Sequence, residues 1–215
     1  MDPTLKLEHY IESTLLRADA QKQDIENLCS AAVRYNFCGV CVNPYYIPLA
    51  SLLLRGSSVK LVTVIGFPLG SNDGYIKALE AEWALKNGAE EIDMVLNIGA
   101  LKNRDIHVLL KEIKDIVGLG VTVKVIIEIG YLTPEDLKTA CHCAVEGGAR
   151  FIKTSTGFGP RGVTLKDISS LRAILPQDMG IKASGGIKTA AFARDLINAG
   201  ANRIGSSAAE EIILE

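Results

Sequence analysis

The chain contains the stretch Gly-Ala-Arg-Phe-Ile-Lys at residues 148–153, and the same Gly-Ala-x-x-Ile-x frame returns at residues 88–93 and 200–205. In each copy, a glycine of the kind that ends a helix precedes a short apolar run typical of a strand. Because side chains alternate along a strand, equal distance from the glycine predicts that Asp93, Lys153 and Gly205 face the same way. We therefore expect these three positions to converge at one end of the fold.

Apolar runs rich in Val, Ile and Leu recur along the whole chain, about 27 residues apart on average, as expected for repeated strand-helix units. The predicted strands are residues 11–15, 38–42, 60–65, 91–96, 123–128, 150–154, 181–184 and 203–206. Segments with helical spacing lie between them, which favours a parallel sheet of the α/β class. Eight units close a (β/α)8 TIM barrel, and an open doubly wound sheet is the alternative.

The helical segments carry recognisable features at their ends. Ile76, Leu79 and Trp83 fall on one face of a segment that ends near Gly88. The sequence Thr-Pro-Glu-Asp at residues 133–136 predicts a helix start, with a capping threonine and a proline in the first turn.

Composition favours one compact domain over residues 1–215 that acts on a small molecule. The chain is 48% hydrophobic and 22% charged, with a net charge of -2 and no run that would serve as a linker. Lysines and arginines are scattered, so neither a nucleic-acid surface nor a membrane patch is expected. No apolar stretch approaches membrane-spanning length, and we expect a soluble protein of the cytoplasm.

The five cysteines do not form a convincing metal or disulfide pattern. An odd number in such a chain favours reduced thiols. Cys38 and Cys41 are three apart in a predicted strand, which sends them to opposite faces. The Cys-His-Cys run at residues 141–143 lies in a predicted helix, where adjacent side chains diverge. We expect no metal and no cofactor.

Two lysines stand where predicted strands emerge into polar loops, the end at which parallel barrels hold their active sites. Lys153 follows two apolar residues, and Lys182 lies at the end of the next strand. Neighbouring strands are roughly 4.8 Å apart, so each ammonium group raises the other's cost of ionisation. A neutral lysine can form an iminium with a carbonyl compound, and Asp93 could move protons beside it. A structural ion-pair network is the alternative, and Lys124 and Glu128 stay unassigned.

Two glycine-serine loops predict a phosphate site. They follow the seventh and eighth predicted strands, where barrel enzymes often bind phosphate through backbone amides and a helix start. Gly157 is expected to contribute a third loop. The expected phosphate and substrate residues are Gly157, Ser184, Gly185, Gly186, Gly205, Ser206 and Ser207.

The sequence resembles deoxyribose-phosphate aldolase. The resemblance is carried by FIKTSTG at residues 151–157 together with KASGGI at 182–187. It extends over nearly the whole chain, through VCVNP at 40–44, EIDMVLNIG at 91–99, KVIIE at 124–128 and RIGSS at 203–207.

This resemblance implies a class I aldolase on a (β/α)8 barrel. The family cleaves 2-deoxy-D-ribose 5-phosphate reversibly into acetaldehyde and D-glyceraldehyde 3-phosphate, and it forms homo-dimers or homo-tetramers. By motif position, Lys153 would form the Schiff base, Lys182 would favour its uncharged form, and Asp93 would transfer protons.

The chain departs from the family pattern at three places. Glu12-Ser13 replaces the usual Asp-His of the first strand, Ala208 replaces a serine, and the last tyrosine is Tyr131 rather than a C-terminal one.

Three other functions stay open at this stage: an aldolase for another phosphosugar, a non-catalytic sugar-phosphate binder, and a proton-transfer isomerase. The isomerase would need a Glu or His base, but His9, His107 and His142 all fall outside the predicted strand ends.

Overall fold

The computed structural model describes residues 6–215 and has a closed barrel of eight parallel strands. Each strand pairs with its successor along the chain, and the last pairs with the first. The predicted (β/α)8 TIM barrel is confirmed, and the open doubly wound alternative is wrong. The strands are β1 (Ile11–Leu15), β2 (Gly39–Val42), β3 (Lys60–Ile65), β4 (Glu91–Val95), β5 (Thr122–Ile126), β6 (Phe151–Lys153), β7 (Gly180–Ser184) and β8 (Arg203–Ser206).

Helices surround the barrel and alternate with the strands. They are α1 (Lys22–Tyr35), α2 (Ile47–Leu53), α3 (Gly74–Lys86), α4 (Ile98–Lys102), α5 (Ile106–Val117), α6 (Pro134–Glu146), α7 (Leu165–Ile174), α8 (Ala190–Asn198) and α9 (Ala209–Leu214). Short 3-10 helices occupy Leu7–Tyr10, Pro44–Tyr46 and Ile129–Tyr131. Within residues 6–215, none of these helices has the length and apolar character needed to cross a membrane.

The Gly-Ala-x-x-Ile-x repeat has the predicted form. Gly88, Gly148 and Gly200 follow the ends of α3, α6 and α8 with φ of 111°, 83° and 115°. These left-handed conformations are readily accessible to glycine and let the chain turn from each helix into the next strand.

The predicted start of α6 is also confirmed. Thr133 accepts a hydrogen bond from the backbone N–H of Asp136 at 3.2 Å, and the Asp136 carboxylate accepts one from the Thr133 N–H at 3.0 Å. Pro134 occupies the first helical position, where its missing N–H costs nothing.

The outer face of α3 carries larger apolar side chains than its inner face. Ile76, Leu79 and Trp83 share one face as the spacing predicts, but they are 48%, 42% and 45% exposed. The buried side of the helix carries Lys77 and the small residues Ala81 and Ala84. Small side chains allow the helix to approach the barrel closely, which leaves the larger apolar residues outside.

The barrel interior contains charged as well as apolar side chains. Apolar residues fill the layer between strands and helices. Inside the barrel, Cys41, Val62 and Val64 form a small apolar cluster, and the remaining space holds two carboxylates and three lysines. These five side chains are Glu12, Asp93, Lys124, Lys153 and Lys182, each no more than 2% exposed.

Candidate active site

Asp93 is the centre of the buried charge cluster. Its Oδ2 lies 2.9 Å from Lys153 Nζ and 2.6 Å from Lys182 Nζ, and its Oδ1 lies 3.1 Å from Lys124 Nζ. Strand register explains the meeting, because Lys153 pairs with Lys182 across β6 and β7, and Asp93 pairs with Lys124 across β4 and β5. The three side chains proposed from sequence as catalytic are therefore together.

Gly205, the third position of the repeat, also faces this cluster. A Cβ on Gly205 would lie 3.0 Å from Cε of Lys182, so the missing side chain leaves room for the lysine. The predicted convergence of Asp93, Lys153 and Gly205 at one end of the barrel thus agrees with the geometry.

Glu12 is a member of the cluster that sequence reasoning did not assign. Its carboxylate accepts a hydrogen bond from Lys182 and lies 3.5 Å from Lys124 Nζ and 3.6 Å from Arg203 Nε. The available signal was a glutamate inside an apolar strand, β1, because an unpaired carboxylate is rarely placed in a barrel interior.

Lys124 was likewise left unassigned. Besides Asp93, it contacts Glu91 at 2.6 Å. Glu128 does not share its site, because β5 ends at Ile126 and the Glu128 carboxylate hydrogen bonds with Thr156.

Neighbouring carboxylates keep two of the three clustered lysines, Lys182 and Lys124, positively charged. Burial alone would lower the pKa of Lys182, but the negative charges of Asp93 and Glu12 raise it well above the usual lysine value. The pKa of Lys124 is also raised, since the same two carboxylates outweigh its burial. Both side chains are therefore cations at neutral pH.

The carboxylates are held as anions by the same contacts. Burial would raise the pKa of Asp93, but Lys124, Lys153 and Lys182 hold it well below its ordinary range. Burial opposes ionisation of Glu12 as well, and Lys124 and Lys182 overcome it, so that the pKa of Glu12 is lowered.

A cavity of about 330 Å³ opens at the C-terminal end of the barrel, and Lys153 lies in its wall. Of the three clustered lysines, only Lys153 contributes to this wall. All seven residues expected at the phosphate and substrate site also line it: Gly157, Ser184, Gly185, Gly186, Gly205, Ser206 and Ser207. Arg17 and Lys188 also line the cavity, and the Arg17 guanidinium is paired with Asp19 and Asp24.

Two of the three loop serines, Ser184 and Ser206, hold the loops in place. Ser184 Oγ donates to the carbonyl of Ser155 at 2.6 Å, and Ser206 Oγ donates to the carbonyl of Ile187 at 2.7 Å. Gly185 and Gly186 have φ of 98° and 77°, a conformation that favours glycine and exposes backbone amides. The loops can therefore offer N–H groups to an anion while the hydroxyls of Ser184 and Ser206 are occupied.

The five cysteines are free thiols. Cys41 Sγ lies 4.0 Å from Asp93 Oδ2, and burial raises the pKa of its thiol to about 11. Cys38 Sγ donates to the carbonyl of Ile11. Cys141 and Cys143 are buried in α6. Among residues 6–215, no three His, Cys, Asp or Glu side chains are grouped in a way that could hold a metal ion.

The histidines are remote from the cluster. His9, His107 and His142 are exposed, on Leu7–Tyr10, α5 and α6 respectively. An isomerase that relies on a histidine base therefore has no candidate in the cavity.

Comparison with known proteins gives a consistent result. The family model described as DeoC/LacD family aldolase matches residues 9–209. A curated deoxyribose-phosphate aldolase from Dictyoglomus turgidum is 49% identical over 210 residues, which cover 97% of this chain and 96% of that protein.

Two solved structures are similar throughout. One is described as QR15, an aldolase, with 38% identity and a TM-score of 0.92, over 96% of this chain and 93% of that one. The other is described as the unique tetrameric structure of deoxyribose phosphate aldolase from Aeropyrum pernix, with 34% identity and a TM-score of 0.90, over 97% of this chain and 89% of that one.

Proposed function

The chain belongs to the DeoC/LacD family of aldolases, and from this premise we propose a class I activity for it. The reaction is the reversible cleavage of 2-deoxy-D-ribose 5-phosphate into acetaldehyde and D-glyceraldehyde 3-phosphate. The observation that carries the proposal is Lys153, which reaches the cavity from a cluster whose other two lysines are held as cations.

Charge balance supports Lys153 as the nucleophile. The buried cluster has three lysines and two carboxylates, while Glu91 and Arg203 at the starts of their strands offset each other in charge. Lys124 and Lys182 each contact both Asp93 and Glu12, whereas Lys153 contacts Asp93 alone. Two cations already balance the two anions, so the third amine can be neutral at little electrostatic cost.

The chemistry follows from that neutral amine. It adds to the aldehyde carbon of the open-chain sugar, and loss of water from the carbinolamine gives an iminium. Removal of the proton from the hydroxyl on carbon 3 lets the bond between carbons 2 and 3 break toward the iminium. D-Glyceraldehyde 3-phosphate then leaves, and an enamine stays on Lys153. A proton added to carbon 2 restores the iminium, and water releases acetaldehyde.

Asp93 is the proposed proton-transfer group of these steps. Its Oδ2 lies within hydrogen-bond distance of both Lys153 and Lys182. A carboxylate in this position can pass a proton between the nitrogen of the carbinolamine, the departing water and the substrate hydroxyl. Lys182 serves as the fixed cation that keeps Asp93 ionised and disfavours a second positive charge beside it on Lys153.

The phosphate is proposed to bind at the loops after β7 and β8. Gly185 and Gly186 give backbone amides, and α8 begins three residues after Ile187. Lys188, which also lines the cavity, adds positive charge. This arrangement holds a sugar phosphate with its aldehyde end toward Lys153.

The test is a coupled assay of D-glyceraldehyde 3-phosphate released from 2-deoxy-D-ribose 5-phosphate. We expect Lys153→Ala to reduce kcat by at least about a thousandfold, since it removes the covalent step. Exposed Lys22→Ala on α1 is the matched control and should retain activity. EDTA should leave the wild type active. An inactive wild type, or a Lys153→Ala variant with normal turnover, would refute the proposal.

We also propose a homo-oligomer located in the cytoplasm. The similar protein from Aeropyrum pernix is described as tetrameric, and Ile76, Leu79 and Trp83 give α3 an exposed apolar face suited to a second copy of this chain. Free thiols at all five cysteines agree with a reducing compartment. Light scattering of the purified protein should give a dimer or tetramer mass; a monomer mass would contradict self-association.

A further inference from the structure

We infer that Glu128 is a positioning residue for the segment of residues 154–159, which follows the Schiff-base strand and lines the cavity. This inference rests on the proposed aldolase function, because it concerns how the substrate is held beside Lys153. Glu128 does not line the cavity that Lys153 reaches and acts through Thr156.

The Glu128 carboxylate hydrogen bonds to the segment without itself lining the cavity. Glu128 is 3% exposed, and its Oε2 accepts hydrogen bonds from the backbone N–H of Thr156 at 3.1 Å and from the Thr156 hydroxyl. Thr156 Oγ1 in turn accepts a hydrogen bond from the Phe158 N–H at 3.0 Å. One carboxylate oxygen thereby orients three consecutive residues that form part of the cavity wall.

Two unfavourable features accompany this contact. The Glu128 backbone has φ of 45° and ψ of 64°, a left-handed conformation that is strained for glutamate. Its Oε1 is buried without a hydrogen-bond partner among the described residues. Neither feature is needed to close the barrel, because β5 has already ended at Ile126. Because the strained backbone and the unpaired oxygen both reduce stability, the presence of Glu128 here indicates a role in the adjacent site.

Gly159 leaves space in the segment for the Glu128 carboxylate. A Cβ at Gly159 would lie 2.5 Å from Cδ and 2.6 Å from Oε1 of Glu128. Gly159 thus packs directly on the carboxylate, and no larger residue fits while Glu128 is bound to Thr156.

The beginning of the segment is hydrogen bonded to β7. Thr154 Oγ1 donates to the carbonyl of Ser184 and accepts from its N–H, both at 3.0 Å, and Ser184 Oγ donates to the carbonyl of Ser155. These bonds hold the beginning of the segment. Glu128 holds its middle, where Thr156, Gly157 and Phe158 face the cavity.

The first test is Glu128→Gly. Glycine accepts the left-handed backbone, so the barrel should keep its Tm while the hydrogen bonds to Thr156 are lost. We expect kcat for cleavage of 2-deoxy-D-ribose 5-phosphate to fall about 10- to 100-fold, the usual effect of misplacing a substrate by about an ångström. Borohydride trapping of acetaldehyde on Lys153 should stay at the wild-type level, because so small an aldehyde does not need the segment.

The second test is Gly159→Ala. Gly159 is outside the residues with positive φ, so alanine suits its backbone, and its methyl group should push the carboxylate away from Thr156. We expect the same loss of kcat as in Glu128→Gly. In the double variant the carboxylate is absent and the methyl group has room, so the two losses should not add. Gly99→Ala, at an exposed position of α4, is the control and should be fully active.

A Glu128→Gly variant with wild-type kcat and KM, additive losses in the double variant, or a fall in acetaldehyde trapping parallel to that in kcat would overturn the positioning role. So would a loss of activity matched by a lower Tm. The parallel wild-type assay separates the two hypotheses. If the wild type does not cleave the sugar phosphate, the proposed function fails, whereas an active wild type beside an equally active Glu128→Gly refutes the role of Glu128 alone.

Discussion

At the residue scale, the three lysines of the buried charge cluster differ in how many of its two carboxylates they contact. Lys124 and Lys182 each lie near both Glu12 and Asp93, and Lys153 lies near Asp93 only. Ammonium groups that are shared between two buried carboxylates are held firmly in the charged state. The lysine with the single contact is also the one that lines the cavity.

This difference predicts the pH behaviour of Lys182→Met. Without Lys182, Asp93 would use Lys153 as its counter-ion and hold it as an unreactive cation. We expect kcat/KM at pH 7 to fall about 100-fold, within the range of acid-base effects. The loss should be smaller at pH 10 than at pH 7, because lysine amines begin to lose their protons in that range.

The measurement is a pH profile of kcat/KM from 6 to 10 for the wild type, Lys182→Met and the exposed control Lys22→Met. A loss in Lys182→Met that is the same at every pH would count against the electrostatic role.

The catalytic residues could be predicted from sequence because they occupy repeated positions. Asp93 and Lys153 share the sixth place of one frame, and strand alternation then places them on one face. Glu12 and Lys124 could not be assigned, because their role depends on contacts across the barrel, Lys124 with Glu12 at 3.5 Å among them. No periodic pattern along the chain encodes such contacts.

At the element scale, β1, β3 and β8 have the predicted bounds, and β5 is the clearest difference. The apolar run predicts a strand through residue 128, but the strand ends at Ile126. Glu128 then adopts positive φ and bonds to Thr156. A glutamate after an apolar run carries no local signal for a left-handed turn, so this end could not be predicted.

The start of α6 gives an element-scale prediction. Asp136 is 3% exposed and bonds to Lys102 at 2.6 Å and to Thr133 within its capping box. The hydrogen bond from Lys102, followed by that from the Thr133 backbone, holds the pKa of Asp136 well below its ordinary range. Asp136→Asn should cost about 1 kcal/mol, or roughly 2–4 °C in Tm.

The sign of the pH dependence follows from the lowered pKa. The carboxylate contributes its stability above the unfolded value of about 3.9 and loses it as the pH falls through the lower folded value. The Tm difference between wild type and Asp136→Asn should therefore be complete at pH 7 and shrink below about pH 4. Asp115→Asn, which breaks an exposed pair with Lys111, is the control. A difference that does not depend on pH would contradict this account.

At the scale of the whole molecule, the layer between strands and helices is apolar, whereas the barrel interior contains charged side chains. Barrel interiors are usually filled by branched apolar side chains, whereas here five ionisable side chains lie in that space. Two of the lysines balance the two carboxylates, which lowers the free-energy cost of burying these charges. Lys153 is then the lysine that contacts one carboxylate instead of two. The fold could be predicted from strand spacing, but this compensation depends on the closed barrel.

The most direct test of the central claim is reduction of the working enzyme with borohydride in the presence of 2-deoxy-D-ribose 5-phosphate. Reduction converts an iminium into a stable secondary amine, and peptide mass mapping then locates it. The account predicts a single adduct on the peptide that contains Lys153. An adduct on Lys124 or Lys182, or none in a sample that cleaves the substrate, would contradict it.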